Sequence, residues 1–419
     1  MKILHTADWH LGQTFYEYSR YDEHVRFLDW LRRQIKERKI DVLLVAGDIF
    51  DGPNPSAESQ RLYYSFLRRV TAECPALQII IIAGNHDSAA RLEAPNPLLE
   101  EMNITVRGVV KRDADGDIDL AHLIIPIYKP GAGRSQADIN INDIAAFCLA
   151  VPYLRQGDYP PAENYAQGVQ TLYRQLFAEL RDEGKPVIAM GHLQATGSEI
   201  SDDDRSERTV IGGVEGISPD AFDAQIIYTA LGHIHKAQRV SGRENVRYAG
   251  SPIPMSFAEK HYHHGVVMVT FDGGCAVDIE RLECPKLIPL LSVPNGEPVS
   301  PEAVLEALKE LPETEAVAPY LEVKVLLEEP EPMLRQEIED ALADKNYRLA
   351  RIVSTYRTET GNTTKENENW KRGLQEMSPL QIAQSAFEKI YQVEMPVELT
   401  GLFEEAYLAA TRKEEEEEE

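Results

Sequence analysis

The tetrapeptide Gly84-Asn85-His86-Asp87 places an amide oxygen and an imidazole side by side, directly after the apolar run 77–83. A run of β-branched residues followed at once by glycine is typical of a buried strand that ends in a tight turn. Open α/β sheets hold their ligands at this carboxyl edge, so the polar side chains of the turn are candidates for chemistry. The same four residues also occur in ordinary loops, so the tetrapeptide alone is weak evidence.

Four other apolar runs end in the same way, with polar side chains directly after the predicted strand. Side chains two residues apart point to the same side of an extended chain, so Asp8 can share one point in space with His10, and His233 with His235. The four runs are 2–7 before Asp8-Trp9-His10, 41–46 before Gly47-Asp48, 187–190 before Gly191-His192, and 226–231 before Gly232-His233-Ile234-His235.

The side chains from these five strand ends are oxygen and imidazole donors without a thiolate. Such donors suit hard to borderline divalent ions such as manganese, iron, magnesium or zinc. Two ions about 3.5–4 Å apart can clamp a phosphate ester and lower the pKa of a shared water. We therefore predict a two-metal site bridged by Asp48, with His86 placed to donate a proton to the leaving oxygen or to bind developing charge. The seven predicted ligands are Asp8, His10, Asp48, Asn85, His192, His233 and His235.

The elements between these motifs predict how the strand ends meet. The alternation strand, helix, strand, helix, strand over the first 83 residues predicts a parallel sheet with right-handed crossovers, so the first three strand ends lie at one edge. The second predicted helix, 58–70, carries a broad apolar face, for which core packing and a dimer interface are both open. In the first helix, His24 is interpreted as a solvated residue.

Several other motifs are interpreted without a catalytic role. The run 113–117 predicts a hairpin turn rather than a calcium loop, because position 124 is Ile where the loop needs a bidentate Glu. His261, His263 and His264 lie on a predicted turn and are interpreted as inert surface. The four cysteines have no CxxC spacing, so we expect buried apolar residues rather than a disulfide framework or a zinc site.

The chain length of 419 residues and shifts in composition predict several domains. We predict a main domain over 1–284, a small α+β capping domain over 285–357, and a polar linker over 358–376. Two short amphipathic helices follow over 377–412, and docking on a partner helix and packing onto the parent domain are both open for them. An acidic tail occupies 413–419.

The formal net charge is −26, of which the six glutamates at 414–419 supply six. This balance argues against a protein whose whole surface attracts nucleic acid, although a metal centre or a partner chain can supply positive charge locally. No apolar run is long enough to cross a bilayer, and Asp8 and His10 interrupt any secretory signal. We expect a cytoplasmic protein without a membrane segment.

The five blocks at the strand ends match in order the motifs of the calcineurin-like metallophosphoesterase superfamily, which the chain resembles. The resemblance implies an α/β fold, a four-layer α/β/β/α sandwich. It also implies that one metal is held by Asp8, His10, Asp48 and His235, and the other by Asp48, Asn85, His192 and His233. His86 is then the proton donor.

Within the superfamily, residues 5–12, 46–51 and 248–257 resemble the bacterial SbcD nuclease family, relatives of the nuclease subunit in archaeal and eukaryotic double-strand-break repair. The resemblance covers the whole chain and implies a manganese-dependent DNA exonuclease and endonuclease, a homodimer, and terminal helices that dock on the coiled coil of an SbcC-type ATPase. Archaeal and eukaryotic members carry a second histidine where this chain has Asp51, so the role of that histidine does not carry over.

Two other functions remain open from the sequence. The first is a small-molecule phosphodiesterase or phosphatase of the same superfamily, which would need neither the capping domain nor the terminal helices. The second is a non-catalytic scaffold on the same fold, which the intact set of predicted ligands disfavours. No GxxxxGK[ST] string is present, so dependence on ATP would have to come from the partner.

Overall fold

The computed structural model describes residues 1–129, 141–199, 216–272, 275–313, 317–328, 331, 333–356, 380, 395–396 and 399–403. The predicted linker 358–376 lies outside the described residues, as do the acidic tail and most of the predicted terminal helices. Residues 399–403 are helical. No helix within the described part of the chain is both long enough and apolar enough to span a bilayer.

Most of the described residues belong to strands and helices whose bounds follow. The strands are β1 (Lys2–Thr6), β2 (Thr14–Phe15), β3 (Tyr18–Ser19), β4 (Val42–Ala46), β5 (Gln78–Ile82), β6 (Ile104–Arg107), β7 (Ile124–Tyr128), β8 (Ile144–Ala150), β9 (Val187–His192), β10 (Ile226–Gly232), β11 (Gln238–Val240), β12 (Arg243–Tyr248), β13 (Gly265–Asp272), β14 (Cys275–Glu283), β15 (Leu290–Val293), β16 (Tyr320–Leu327) and β17 (Arg348–Tyr356). The α-helices are α1 (Tyr21–Arg38), α2 (Ala57–Glu73), α3 (Ala89–Glu93), α4 (Asn96–Leu99), α5 (Leu120–Leu123), α6 (Tyr165–Leu180), α7 (Pro301–Glu310) and α8 (Leu334–Leu342).

The first sheet has the order β14-β13-β1-β4-β5-β6. Strands β1, β4, β5 and β6 run parallel, as the alternation of strands and helices predicts. Strands β13 and β14 add an antiparallel pair at the other side of β1. The carboxyl ends of β1, β4 and β5 therefore lie next to one another at one edge, which confirms that part of the prediction.

The second sheet has the order β11-β12-β10-β9-β8-β7. Strands β8, β9, β10 and β12 are parallel, so the ends of β9 and β10 are also neighbours. Strands β7 and β11 close the two sides of the sheet as antiparallel edges.

The two sheets pack face to face, and helices cover both outer faces. The layer between the sheets is an apolar core to which β1, β4 and β5 contribute from one side and β8, β9 and β10 from the other. Helices α1 and α2 pack on the outer face of the first sheet, and α6 packs on the outer face of the second. The predicted four-layer α/β/β/α sandwich is thus confirmed.

Helix α2 begins at an N-cap, where Ser56 accepts a hydrogen bond from the backbone N–H of Ser59 at 3.1 Å. Its apolar face, including Tyr63, Phe66 and Val70, is buried in the core of the first sheet. Core packing is therefore the correct interpretation of this stripe. The prediction for His24 in α1 was wrong, because its side chain is only 1% exposed.

A third, three-stranded sheet has the order β15-β16-β17, and α7 and α8 accompany it. An aromatic cluster joins this sheet to the β2–β3 hairpin of the main body, where the Tyr320 ring lies 4.6 Å from that of Phe15. The Tyr320 hydroxyl also donates a hydrogen bond of 3.0 Å to buried Glu23, which pairs with buried Arg20 at 2.9 Å. Residues 1–325 and 331–354 form one compact unit. The boundary at 284/285 stays a prediction.

Two smaller predictions can be compared with the structure. The segment 113–117 forms the predicted turn, closed by a bridge between Arg112 and Ile118. Of the described cysteine side chains, Cys148 and Cys284 are buried, whereas Cys74 is half-buried, and these three form no disulfide.

Candidate metal centre

The eight side chains predicted for the site all converge where the carboxyl ends of strands from the two sheets meet. Two hydrogen bonds join the sheets at this point. The backbone N–H of His233 donates to Asp8 Oδ1 at 2.9 Å, and His192 Nδ1 lies 2.8 Å from the carbonyl oxygen of Ala46. These two bonds therefore hold the strand ends of the two sheets next to each other.

Donor atoms at this junction are close enough to share ions. In each of three overlapping groups, one ligand atom per residue lies within 4.8 Å of the others, and Asp8, His10 and Asp48 each belong to two groups. The groups are Asp8, His10 and His235; His10, Asp48 and His86; and Asp8, Asp48 and His192.

Asn85 brings in the remaining histidine. Its Oδ1 lies 2.9 Å from His192 Nε2 and 3.1 Å from His233 Nδ1, so the amide oxygen and two imidazoles face one another. Asp48 Oδ2 lies 3.2 Å from His192 Nε2 and 3.7 Å from His10 Nε2, in the middle of the whole set. Oxygen and nitrogen donors without sulfur, converging from both sheets, fit a pair of divalent ions. The role of each residue as a ligand stays a prediction.

The backbone at the strand ends adopts an unusual conformation that aims these side chains. Asp8, His10 and Asp48 have φ values of 54°, 46° and 51°, and His233 has 98°. Left-handed backbone costs a residue with a Cβ about 1–2 kcal/mol, and such strain clusters at functional sites. Asp48 and His233 each follow directly on the glycine at a strand end, so the rigid sheets hold the strain.

Two glycines let the loops approach as closely as they do. A Cβ at Gly84 would overlap the Asp48 carboxylate, and a Cβ at Gly232 would overlap the carbonyl oxygen of Ala46. The recurring glycine at the strand ends therefore has a steric reason here, since no other residue leaves room for the facing loop.

Asp48 and His192 form a buried, mutually stabilising ion pair. Burial alone would raise the pKa of Asp48, but the positive charge of His192 holds it well below its ordinary value. Burial likewise favours neutral His192, yet the carboxylate of Asp48 raises its pKa to about 10. A divalent ion at Asp48 would compete with the His192 proton, because a ligating imidazole must be neutral.

His86 lies at the rim of the site and is held from two sides. Its backbone N–H donates to Asp48 Oδ1 at 2.9 Å, and its ring Nδ1 lies 2.9 Å from the carbonyl oxygen of Asp51. If Nδ1 donates to that carbonyl, Nε2 is left for another partner. The carboxylate of Asp51 lies 3.4 Å from His10 Nδ1, so Asp51 also borders this centre.

Glu259 is a site neighbour that the sequence did not reveal. It is fully buried, and its Oε1 lies 3.0 Å from Nδ1 of His235. The other carboxylate oxygen accepts the backbone N–H of Met255 at 2.9 Å. Glu259 lies 24 residues beyond His235 in a 3-10 helix, and no spacing rule connects the two.

Asp87 also has a role that the sequence did not reveal. Its buried carboxylate accepts the backbone N–H groups of Gly84, Ile49 and Phe50 at 2.9–3.1 Å. It therefore ties the loop after β5 to the loop after β4. Its place in the same tetrapeptide as Asn85 and His86 was the available signal.

The prediction of inert surface for the three clustered histidines was wrong in part. His264 is buried, with Nδ1 3.1 Å from the Ser251 hydroxyl and Nε2 3.1 Å from the carbonyl oxygen of Glu259. His263 lies 2.7 Å from the carboxylate of Glu283. His261 is exposed, as expected.

Comparison with known proteins identifies the family. The model of the calcineurin-like phosphoesterase family matches residues 1–237, more than half of the chain. The chain belongs to this family. A second model, the SbcD C-terminal domain, described as a type 5 capsule protein repressor C-terminal domain, matches residues 287–391.

Curated relatives extend over most of the chain. A protein of Rhodobacter capsulatus, named as the SbcD component of nuclease SbcCD, is 37% identical over 85% of this chain and 87% of its own length. A protein of the same name from Escherichia coli K12 is 34% identical over 78% of this chain and 79% of its own length. Another, from Bacillus subtilis, is 31% identical over 64% of this chain and 66% of its own length. The chain is therefore a member of the SbcD branch of calcineurin-like phosphoesterases, a phosphodiester hydrolase with divalent metal ions.

Proposed function

We propose that this protein is a manganese-dependent DNA nuclease, with exonuclease and endonuclease activity that opens hairpins, and that it acts as the nuclease component of an SbcCD-type complex in repair and recombination. The observation that carries the proposal is the convergence of eight oxygen and imidazole side chains from five strand ends. The relatives are named as nucleases, which supports nucleic acid as the substrate class.

In this proposal, one ion is held by Asp8, His10, Asp48 and His235. Asp48, Asn85, His192 and His233 would hold the second, so both ions would share Asp48. The central position of Asp48, between His10 and His192, supports that assignment. Manganese, rather than another divalent ion, is the finer part of the proposal.

When bound, such an ion pair neutralises charge on a phosphodiester and lowers the pKa of an attacking water. The protein's own residues supply orientation and proton transfer. The strained strand ends hold the ligands rigidly, and the hydrogen bond from His86 to the Asp51 carbonyl orients the imidazole of His86. From there His86 donates a proton to the departing sugar oxygen as the P–O bond breaks.

The main alternative is a small-molecule phosphodiesterase or phosphatase of the same family. The match of residues 287–391 to the SbcD C-terminal domain favours the nuclease, because a small-molecule hydrolase needs no such region. A non-catalytic scaffold is disfavoured, because a scaffold would not need eight polar residues, several of them strained and buried, in one place.

A nuclease assay separates these functions. End-labelled duplex and hairpin DNA are incubated with the full chain and manganese, then with manganese and a chelator. Cutting that the chelator abolishes supports the proposal. Hydrolysis of only a small chromogenic phosphodiester supports the small-molecule enzyme, and no hydrolysis of either supports the scaffold.

Two variants separate the proposed roles within the centre. His86→Ala should bind manganese as tightly as the wild type but lose cutting by about 10²–10⁴-fold, the usual contribution of a proton donor. Asp48→Ala should lose both metal and cutting. Calorimetric titration with manganese beside the DNA assay measures both, and wild-type cutting in either variant contradicts the assignment.

The partners belong to the same proposal. We infer that the helices of 377–412 dock on the coiled coil of an SbcC-type ATPase and that the chain forms a homodimer in the cytoplasm. Among the described residues of this segment, Leu399 and Leu402 are 40% and 62% exposed, which supports an apolar docking face. Leu402→Glu should reduce co-purification of the ATPase, and light scattering of the isolated chain measures dimerisation.

A further inference from the structure

The chain continues past the end of β8 and lies along the candidate metal centre. Strand β8 pairs with β9 up to Ala150, opposite Met190. Three residues later, the backbone N–H of Tyr153 donates a 2.9 Å hydrogen bond to the carbonyl oxygen of Ala83, directly before Gly84. This bond holds Tyr153 beside the loop that carries Asn85 and His86.

The Tyr153 side chain faces the site. Its ring centroid lies 6.2 Å from that of His192, with the two planes at 76°. The side chain is half-buried, so one part packs against the protein and the other is open to a ligand. A phenol in this position is wide and rigid, and it lies next to predicted ligands of the second ion without belonging to the predicted ligand set.

Arg155 adds a positive charge beside Tyr153. Its guanidinium lies 5.7 Å from the centroid of the Tyr153 ring. The side chain is exposed, and no ion pair with an acidic side chain holds it within the described residues. Its backbone N–H donates to Asp158 Oδ2 at 2.8 Å, and the Asp158 N–H donates to the Arg155 carbonyl at 3.0 Å, so the turn itself is well held.

We propose that Tyr153 and Arg155 form a nucleotide-binding lip of the metal centre, in which the Tyr153 ring stacks on a base or sugar and Arg155 binds a backbone phosphate next to the one that is cut. The proposal rests on the DNA nuclease function proposed above. Aromatic stacking beside a cation is the usual way to hold single-stranded nucleic acid without reading its sequence. Arg155 would place a positive charge beside the metal centre, where a protein of net charge −26 needs one to bind a phosphate.

The test compares single-stranded DNA cutting by the full chain and its variants in manganese at several salt concentrations. Arg155→Ala should raise KM about 10-fold, change kcat less than KM, and reduce the slope of log KM against log salt concentration by about 0.7, the share of one phosphate contact. Arg155→Lys should recover part of the loss. Tyr153→Ala should raise KM about 5- to 100-fold, and Tyr153→Phe should recover most of that loss, since stacking needs the ring.

Arg174→Ala is the matched control, because it removes one exposed positive charge from α6, away from the strand ends. Its KM and salt slope should equal those of the wild type. Manganese affinity, measured by calorimetry, should be the same in Arg155→Ala as in the wild type, which separates substrate binding from damage to the centre.

The outcomes distinguish the lip from the function on which it rests. Wild-type cutting with an unchanged KM and salt slope in Arg155→Ala overturns the lip and leaves the nuclease function intact. Absence of DNA cutting by the wild type overturns the nuclease function and the lip together. A loss of cutting in Arg155→Ala that follows a loss of manganese binding also overturns the lip.

Discussion

At the scale of single residues, buried Glu259 contacts His235, which we propose as a metal ligand. It accepts a hydrogen bond from Nδ1 of His235, and His235 lies close to Asp8 and His10. Such outer partners orient a ligand and raise its basicity, and their loss typically weakens metal binding about 10- to 100-fold.

We therefore expect Glu259→Gln to weaken manganese binding about 10- to 100-fold in a calorimetric titration. The matched control is Glu93→Gln. Glu93 is also a buried glutamate, it accepts the backbone N–H groups of Gly108 and Val109, and it lies 3.5 Å from His122, outside the centre. This control should lose stability but keep wild-type metal affinity. Equal manganese affinity in Glu259→Gln and the wild type would show that Glu259 has no positioning role.

His5 connects the two sheets through a neutral imidazole. Its ring contacts the Tyr228 hydroxyl at 3.0 Å and the Leu231 carbonyl oxygen at 3.2 Å, both in the second sheet. Burial lowers the pKa of His5 to about 3, although the carbonyl of Leu231 opposes the shift. The folded state therefore binds this proton more weakly than the unfolded state, whose pKa is about 6.5.

The stabilising contribution of neutral His5 is complete above about pH 6.5 and is lost as the pH falls towards about 3. We predict that His5→Asn reduces the pH dependence of the free energy of unfolding by up to about 1.4 kcal/mol per pH unit between about pH 6 and 4. Urea unfolding at several pH values measures the difference between the variant and the wild type. Both proteins retain buried His24, so the comparison isolates His5. Parallel pH profiles for the two proteins would refute the prediction.

At the scale of elements, the residues of the site lie at or just after the carboxyl ends of five strands. The strand ends can meet because the backbones of neighbouring loops approach closely. The carbonyl oxygen of Ala46, for example, leaves no room for a Cβ at Gly232. Asp87 adds a tie between the loops after β4 and β5, so the loops keep their separation without help from a ligand.

Gly232→Ala should therefore destabilise the protein by about 1–3 kcal/mol or more, because the new methyl group must push the two sheets apart. It should also weaken manganese binding, since His192 and Asp48 face each other across this contact. Gly296→Ala is the control, because a methyl group there meets no atom within 4 Å, and surface changes of this kind stay within about 0.5 kcal/mol. Thermal unfolding and metal titration of both variants measure the difference, and equal results for the two would contradict this explanation.

At the scale of the whole molecule, the three-stranded sheet is joined to the sandwich by a small aromatic cluster and one buried polar network. Phe15, Phe257, Ile288 and Tyr320 form the apolar part, and Tyr320 also reaches the pair of Glu23 and Arg20. Because Tyr320 belongs to both parts of this junction, the two bodies should unfold together while it is intact.

We predict one cooperative calorimetric transition for the unit of residues 1–325 and 331–354. Tyr320→Ala should cost about 3–5 kcal/mol and separate the transition into two. Tyr320→Phe, which removes the hydrogen bonds of the hydroxyl with Glu23 and Arg348, should cost about 1–2 kcal/mol and keep a single transition. Two transitions in the wild type would show that the junction does not couple the bodies.

The pattern of the sequence determined the parallel arrangement of β1, β4 and β5 and the identity of the residues that meet at its edge, and the resemblance of the five motifs to a known family implied the sandwich. Buried parallel strands read as continuous apolar runs, and polar residues directly after them must emerge at the same edge, so Asp8, Asp48 and Asn85 could be named together. The residues that the sequence misjudged are those whose surroundings come from distant elements.

Only the tertiary structure decided that His24 and His264 are buried, that Glu259 supports His235, and that Tyr153 and Arg155 border the centre. None of these has a periodic signal along the chain, because burial and closeness to the centre depend on how two sheets and their loops pack. Local pattern reports the direction of a side chain along its own strand or helix, whereas burial and hydrogen bonding depend on the partner that folding brings to it.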